Sequence, residues 1–223
     1  MKPAWLSKQP ITWLYRLILF LAWLLFKVFY RHRVYGHEHF YAGPAIIAGN
    51  HTSYLDPPIL AISWPQGVHF LAKEELFRNP LFGGFIRRLN AHPVTGEASD
   101  IGVFKTICGL LNEGDKIILF PEGKRNEINE LAELKAGVAM LVARSKSAVV
   151  PAYIHGAFNI WNPSRKFPKL FGKTACVFGT PIFWSDFEHL DKKEAQKALL
   201  AKLFESISEL RAWFEAGAKG VPP

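Results

Sequence analysis

The residues best placed by type and spacing to do chemistry are Asn50-His51-Thr52-Ser53-Tyr54-Leu55-Asp56-Pro57. An imidazole whose tautomer is fixed by a carboxylate on one ring nitrogen can take a proton with the other. Five residues of loop allow Asp56 to fold back onto His51, whereas on a continuous helix that spacing is poor. Spacing alone does not single out His51. His69, His92 and His189 also have a glutamate five residues on, so half of the eight histidines pass the same test. A second constellation is Ile117-Ile118-Leu119-Phe120-Pro121-Glu122-Gly123-Lys124-Arg125-Asn126. It delivers a carboxylate, a glycine and two adjacent cations at the end of an apolar run. Gly123 permits a sharp turn or a close backbone approach, and Lys124 with Arg125 could grip a phosphate. Taken alone, an ordinary solvated turn with an internal ion pair would read the same way.

These residues need a scaffold, and the pattern from residue 34 onward supplies one. Short β-type runs alternate with helical patterns, which is the signature of α/β architecture. Strands are expected at 45–49, 68–72, 116–120, 148–154 and 174–182. Ser99 and Asp100 are candidate caps for a helix with Ile101, Phe104, Ile107, Cys108 and Leu111 on its apolar face, ended by Gly114. A helix over 130–145 would turn Leu131, Leu134, Val138 and Leu141 inward. Asp191 opens a C-terminal amphipathic helix carrying Ala195, Leu199, Leu203, Ile207, Leu210 and Phe214. The expected fold is therefore α/β: a single domain, residues 34–223, with a mixed β-sheet flanked by helices.

Residues 1–33 read differently. The stretch 11–30, ITWLYRLILFLAWLLFKVFY, is the most apolar of the chain and as a helix would be about 30 Å long. Arg16 and Lys27 leave only 17–26 uncharged, too short to cross a bilayer without snorkelling. Trp5, Trp13, Tyr15, Trp23 and Tyr30 supply rings that prefer the headgroup zone. Lys2, Lys8, Arg16, Lys27, Arg31 and Arg33 stand against Glu38 alone in the first forty residues. An N-terminal apolar membrane-anchoring helix, embedded in one leaflet or interfacial, is expected, with a spanning helix as the alternative. The net charge of +8 seeks anions. Its clustering around an aromatic, apolar segment suits an anionic membrane lipid surface and not nucleic acid. Cys108 and Cys176 form no disulfide framework and no metal-ligand spacing, which leaves them as core thiols of a reducing compartment.

Taken together, N-H-T-S-Y-L-D-P followed some seventy residues later by L-F-P-E-G-K-R-N resembles the glycerolipid acyltransferases, specifically the 1-acylglycerol-3-phosphate acyltransferase group. Leu134-Lys135-Ala136-Gly137 and Val149-Val150-Pro151-Ala152-Tyr153 resemble later blocks of that family, in the same order. The resemblance implies that His51 is the catalytic base and Asp56 its partner. It places Glu122, Gly123 and Arg125 in the acceptor-binding block. Lys124 and Asn126 stand where the family usually has threonine and serine. Thr95-Gly96-Glu97 follows Pro93-Val94 where an arginine often lies, so Arg87, Arg88 or Lys124 is the candidate substitute. Were Arg125 not to hold the phosphate, Arg87, Arg88 or Lys135 would be the place to seek its contacts.

The implied reaction moves a fatty acyl group from acyl-CoA or acyl carrier protein to the free hydroxyl of 1-acylglycerol 3-phosphate, giving phosphatidic acid. No serine or cysteine need be acylated, because the acceptor hydroxyl is itself the nucleophile. No metal or redox cofactor is implied, since the His and Cys spacings fit none. The catalytic domain would work on the cytoplasmic face of a membrane. Another lysophospholipid or glycerol 3-phosphate as acceptor is the alternative enzyme reading. A lipid-binding membrane protein without catalysis is the alternative outside enzymes.

Overall fold

The runs AIIAG, KIIL and AVVPAYIH are the right length for strands, and their residues are buried almost throughout. Such near-continuous apolar runs belong to strands covered on both faces. In the computed structural model, which describes residues 12–94 and 101–223, they form β2 (Ala45–Gly49), β5 (Lys116–Leu119) and β6 (Ala148–His155), three parallel neighbours. Beyond β5 the parallel set continues through β3 (His69–Lys73) to β4 (Ala91–Val94). On the other side β6 meets β7 (Ala175–Phe178) antiparallel, and β7 pairs in parallel with β1 (Arg33–Tyr35). The sheet is thus mixed, seven-stranded, in the order β1-β7-β6-β2-β5-β3-β4.

Alternation along each strand sorts the core into two layers. Ala45, Ile47, Ile118 and Val150 face α1 (Trp13–Phe29), α2 (Asp56–Ser63) and α6 (Ala157–Trp161). Ile46, Ala48, Ile117 and Val149 face α4 (Ile101–Asn112), α5 (Gly137–Ser145) and α7 (Lys192–Glu215). A further helix, α3 (Pro80–Arg87), lies between β3 and β4 in the chain. The Asp191 carboxylate caps α7 by accepting from Lys193 N–H at 2.8 Å and Glu194 N–H at 3.0 Å. Ala195, Leu199, Leu203, Ile207 and Leu210 turn into the core as their spacing requires.

Three expectations change. The helix over 130–145 begins only at Gly137, because Ala132 N–H donates to Glu122 Oε2 and Lys135 N–H to Pro121 O at 2.8 Å. Those donors are spent on the second constellation, although Leu134 and Val138 still reach the core. The boundary between residues 33 and 34 falls inside β1. The segment before it is also partly core: Phe26 and Tyr30 are buried, and Tyr15 Oη accepts Val68 N–H at 3.1 Å. The apolar N-terminal stretch is a helix of 17 residues, capped by Thr12, and among the described residues no helix is long and apolar enough to cross a membrane. The caps expected at Ser99 and Asp100, and the 95–97 departure, lie outside the described residues, as do Lys2, Trp5 and Lys8.

Candidate active site

Both constellations leave the sheet at the carboxyl ends of adjacent parallel strands, β2 and β5, where open α/β sheets hold ligands. After Gly49 the chain must leave the ladder. The Asn50 side chain takes over as a pseudo-strand, donating to Ile154 O at 3.2 Å and accepting Ile154 N–H at 2.7 Å. Pro57 and Pro58 follow at the start of α2, where missing N–H groups cost nothing. Asp56 thereby becomes the first residue of that helix, its carboxylate turned back into the loop. Its Oδ2 accepts from Thr52 N–H and Ser53 N–H, each at 2.7 Å, and lies 2.9 Å from His51 Nδ1.

Asp56 is 0% exposed and the His51 side chain 13%. Burial pushes the Asp56 carboxyl above the usual carboxylate range, against the opposing pull of His51 and the two backbone donors. The carboxylate selects the tautomer with hydrogen on Nδ1, which leaves Nε2 as the free base. The imidazole lies flat on the Phe120 ring, 3.9 Å between centroids and 15° between planes. A hydroxyl presented to Nε2 in this setting would lose its proton as it attacks a carbonyl carbon.

The second constellation is clamped to the first through the His51 peptide. Glu122 Oε1 accepts His51 N–H at 2.6 Å, while Asn126 N–H donates to His51 O at 2.8 Å. Glu122 Oε2 accepts Ala132 N–H at 2.9 Å and the Asn126 side-chain amide, which also donates to Glu130 O at 2.9 Å. Burial raises the Glu122 carboxyl, and these donors oppose it. Both of its oxygens are taken up by the protein, so Glu122 is a strut that fixes the His51 backbone.

The remaining site residues divide. Gly123 adopts φ +76°, and a Cβ there would come within 3.1 Å of Lys135 Cε, so glycine lets the Lys135 chain cross the turn. Arg125 Cζ stands 4.1 Å from the centre of the Tyr54 ring, which joins the cation to the His51 loop. Lys124 is exposed beside it. Arg87 and Arg88 are not brought to this place. Arg87 stacks on Phe77 at 4.7 Å and Arg88 donates to Gly84 O at 3.2 Å, both contacts local to the α3 segment between β3 and β4.

Sequence reasoning missed three supports. Asn126 was visible as a departure, and its amide offers two donors where serine offers one. Phe120 and Trp161 carried no signal, although the Trp161 carbonyl accepts Ser53 Oγ–H at 2.7 Å and Tyr54 N–H at 3.1 Å. Residues 31–155 match the family model described as Acyltransferase. The chain belongs to the acyltransferase family. Within that family it is 33% identical over 180 residues to the 1-acyl-sn-glycerol-3-phosphate acyltransferase of Bacillus subtilis, covering 80% of this chain and 87% of that protein. It is 28% identical over 149 residues to the enzyme of the same name from Streptococcus pneumoniae, covering 66% of this chain and 53% of that one. The crystal structure of the 1-acyl-sn-glycerophosphate acyltransferase PlsC from Thermotoga maritima superposes with a TM-score of 0.71 at 24% identity, over 89% of this chain and 81% of that one. That likeness establishes the acyltransferase fold.

Proposed function

We propose that this chain transfers a fatty acyl group from acyl-CoA or acyl carrier protein to the free hydroxyl of 1-acylglycerol 3-phosphate, forming phosphatidic acid. The observation that carries the proposal is the 2.9 Å pairing of His51 Nδ1 with a buried, triply bonded Asp56 carboxylate. The names of the Bacillus subtilis and Streptococcus pneumoniae relatives support the choice of acceptor. In the reaction, Nε2 takes the acceptor proton while the acceptor oxygen attacks the thioester carbonyl. Collapse of the tetrahedral adduct breaks the carbon–sulfur bond, and the imidazolium returns the proton to the departing thiolate. The proton transfers account for on the order of 10²–10⁴ in rate. No resident metal or redox group has a task in these steps. Arg125, Lys124 and Lys135 receive the acceptor phosphate, Arg125 through two oxygens at once.

In the same reading α1 lies along the interface of a membrane, with the catalytic domain on the cytoplasmic face where acyl thioesters are found. Supporting this, Trp13, Leu17, Phe20, Leu24 and Val28 are exposed along one side of α1 while Tyr15 and Phe26 are buried on the other. Incubation of the purified protein with labelled acyl thioester and a panel of acceptors tests the assignment. Transfer to 1-acylglycerol 3-phosphate in preference to other lysophospholipids and glycerol 3-phosphate is expected. Preference for a different acceptor would replace the substrate, and absence of product with every acceptor would favour a lipid-binding protein.

A further inference from the structure

The connection from α6 to β7 carries a pattern that acyl transfer does not use. Residues 162–173, NPSRKFPKLFGK, hold four basic residues and no acidic one, with Phe167, Leu170 and Phe171 set among the cations. Residues 164–171 are all exposed, and those three apolar side chains are 69%, 64% and 67% exposed. Scattered exposed apolar residues need no explanation, but three on one short loop form a surface with something to cover.

Topology fixes where this loop lies. Because β7 runs against β6, Ala175 at the start of β7 pairs with His155 at the end of β6. That is the end of the sheet at which Gly49 delivers His51. Arg33 at the start of β1 pairs with Ala175, so the foot of α1 comes to the same end. There the loop and the helix are joined. The Phe29 and Phe171 rings stack at 5.8 Å, Gly172 N–H donates to Phe29 O at 3.2 Å, and Tyr30 Oη–H donates to Lys169 O at 3.1 Å. At its other end the loop springs from Trp161, the residue that holds Ser53 and Tyr54 of the catalytic loop.

We propose that residues 162–173 are a second membrane-contacting element, remote in sequence from α1 and continuous with it in space. Phe167, Leu170 and Phe171 enter the interface of an anionic bilayer, and Arg165, Lys166 and Lys169 pair with its headgroups. The bilayer then docks against the end of the sheet that carries His51. The inference rests on the membrane reading given above for α1 and extends it. Charge selects the occupant: a run of cations without an acid, on a chain of net charge +8, complements anionic lipid and repels a second copy of itself.

The test is the full-length chain with Phe167→Glu and Leu170→Glu together, both positions exposed and outside the catalytic loops. Flotation with phosphatidylcholine vesicles containing phosphatidylglycerol is measured against vesicles of phosphatidylcholine alone. The parent is expected to float with the anionic vesicles, and the double variant to bind them about tenfold more weakly or worse. Turnover of acceptor embedded in those vesicles should fall in step. Turnover of a short-chain acceptor kept below its micelle threshold should match the parent. A Leu21→Glu, Leu24→Glu chain reads the α1 face separately. A Phe167→Glu, Leu170→Glu chain that floats like the parent would overturn the inference and leave the α1 reading standing. A parent that does not float overturns both. A parent inactive on every acceptor, whose flotation is still lost in the double variant, supports the loop and overturns the proposed reaction. Self-association in vesicle-free buffer that the double variant abolishes would assign the surface to a second copy and overturn the lipid assignment.

Discussion

Two histidine–carboxylate groupings sit at opposite ends of the same parallel strands. At one end, His51 follows β2, and Asp56 Oδ2 gathers three short donors at 2.7–2.9 Å. At the other, His69 opens β3 and Asp115 precedes β5, but His69 Nε2 stands 3.6 Å from Asp115 Oδ2, beyond hydrogen-bond range. That oxygen has no hydrogen-bond partner among the described residues. His69 instead spends Nδ1 on His92 Nε2 at 2.8 Å. Burial lowers the pKa of both these imidazoles. The two groupings contain the same residue types, and only one pairs a partly open imidazole with a carboxylate held by the backbone. What makes a base is the carboxylate's own support.

The comparison is broken most directly at His51. His51→Ala should lower transfer by about 10²–10⁴-fold with an unchanged unfolding transition, and Asp56→Asn should come close to it, because the imidazole loses the group that selects its tautomer. Steady-state acyl transfer and thermal unfolding of the same preparations check both. A next, smaller effect belongs to Arg125→Ala, which removes a charge-assisted contact of about 1.5–3 kcal/mol. One to two decades of catalytic efficiency towards the acceptor should go with it. The thioester Michaelis constant should stay put, and Arg125→Lys should recover only part of the loss.

His69→Ala sharpens the contrast from the other side. It should cost about 1–3 kcal/mol of stability in urea while turnover stays within about threefold of the parent. A folded His69→Ala protein without activity would dissolve the distinction between the two ends. The smallest effect concerns His32, buried between Thr174 Oγ1 and Ser63 Oγ at 2.9 Å each. Burial, helped by Lys27, lowers its pKa from 6.5 to about 4. The unfolded chain therefore takes up the proton first as pH falls, and stability drops from about pH 6.5 down to about pH 4. At pH 5.5 the loss is about 1 kcal/mol relative to pH 7. The stability deficit of His32→Gln should shrink by that amount over the same interval. A deficit independent of pH would show that His32 is not held neutral.

The fold was legible wherever periodicity and length agreed. AIIAG, KIIL and the Asp191-capped helix emerged close to their observed bounds, because burial on one face or two leaves its period in the residues. Residues 130–136 failed for the opposite reason. Their inward leucines suit a helix, but Glu122 and Pro121 claim the backbone donors a helix would need. At the site, His51 and Asp56 were legible as a pair only through two motifs read together, since three other histidines had the same spacing. Of the supports of Glu122 the sequence showed only the unusual Asn126, because His51 and Ala132 meet the carboxylate through backbone groups. Arg87 and Arg88 were singled out as two adjacent cations, and the contacts they make are local ones to Phe77 and Gly84.

The pairing of β1 has a consequence for the order in which the molecule is made. Its three residues pair with Ala175–Val177, and His32 just before it bonds Thr174 across 142 residues of chain. Contacts of such separation carry a large loop-closure cost and form late. During synthesis β2, β5 and β6 can assemble while β1 and the foot of α1 still lack that partner. The edge that closes last is the one that opens most cheaply. Native-state hydrogen exchange should accordingly find Arg33–Tyr35 among the least protected strand amides, with Ile46 and Ile47 among the slowest.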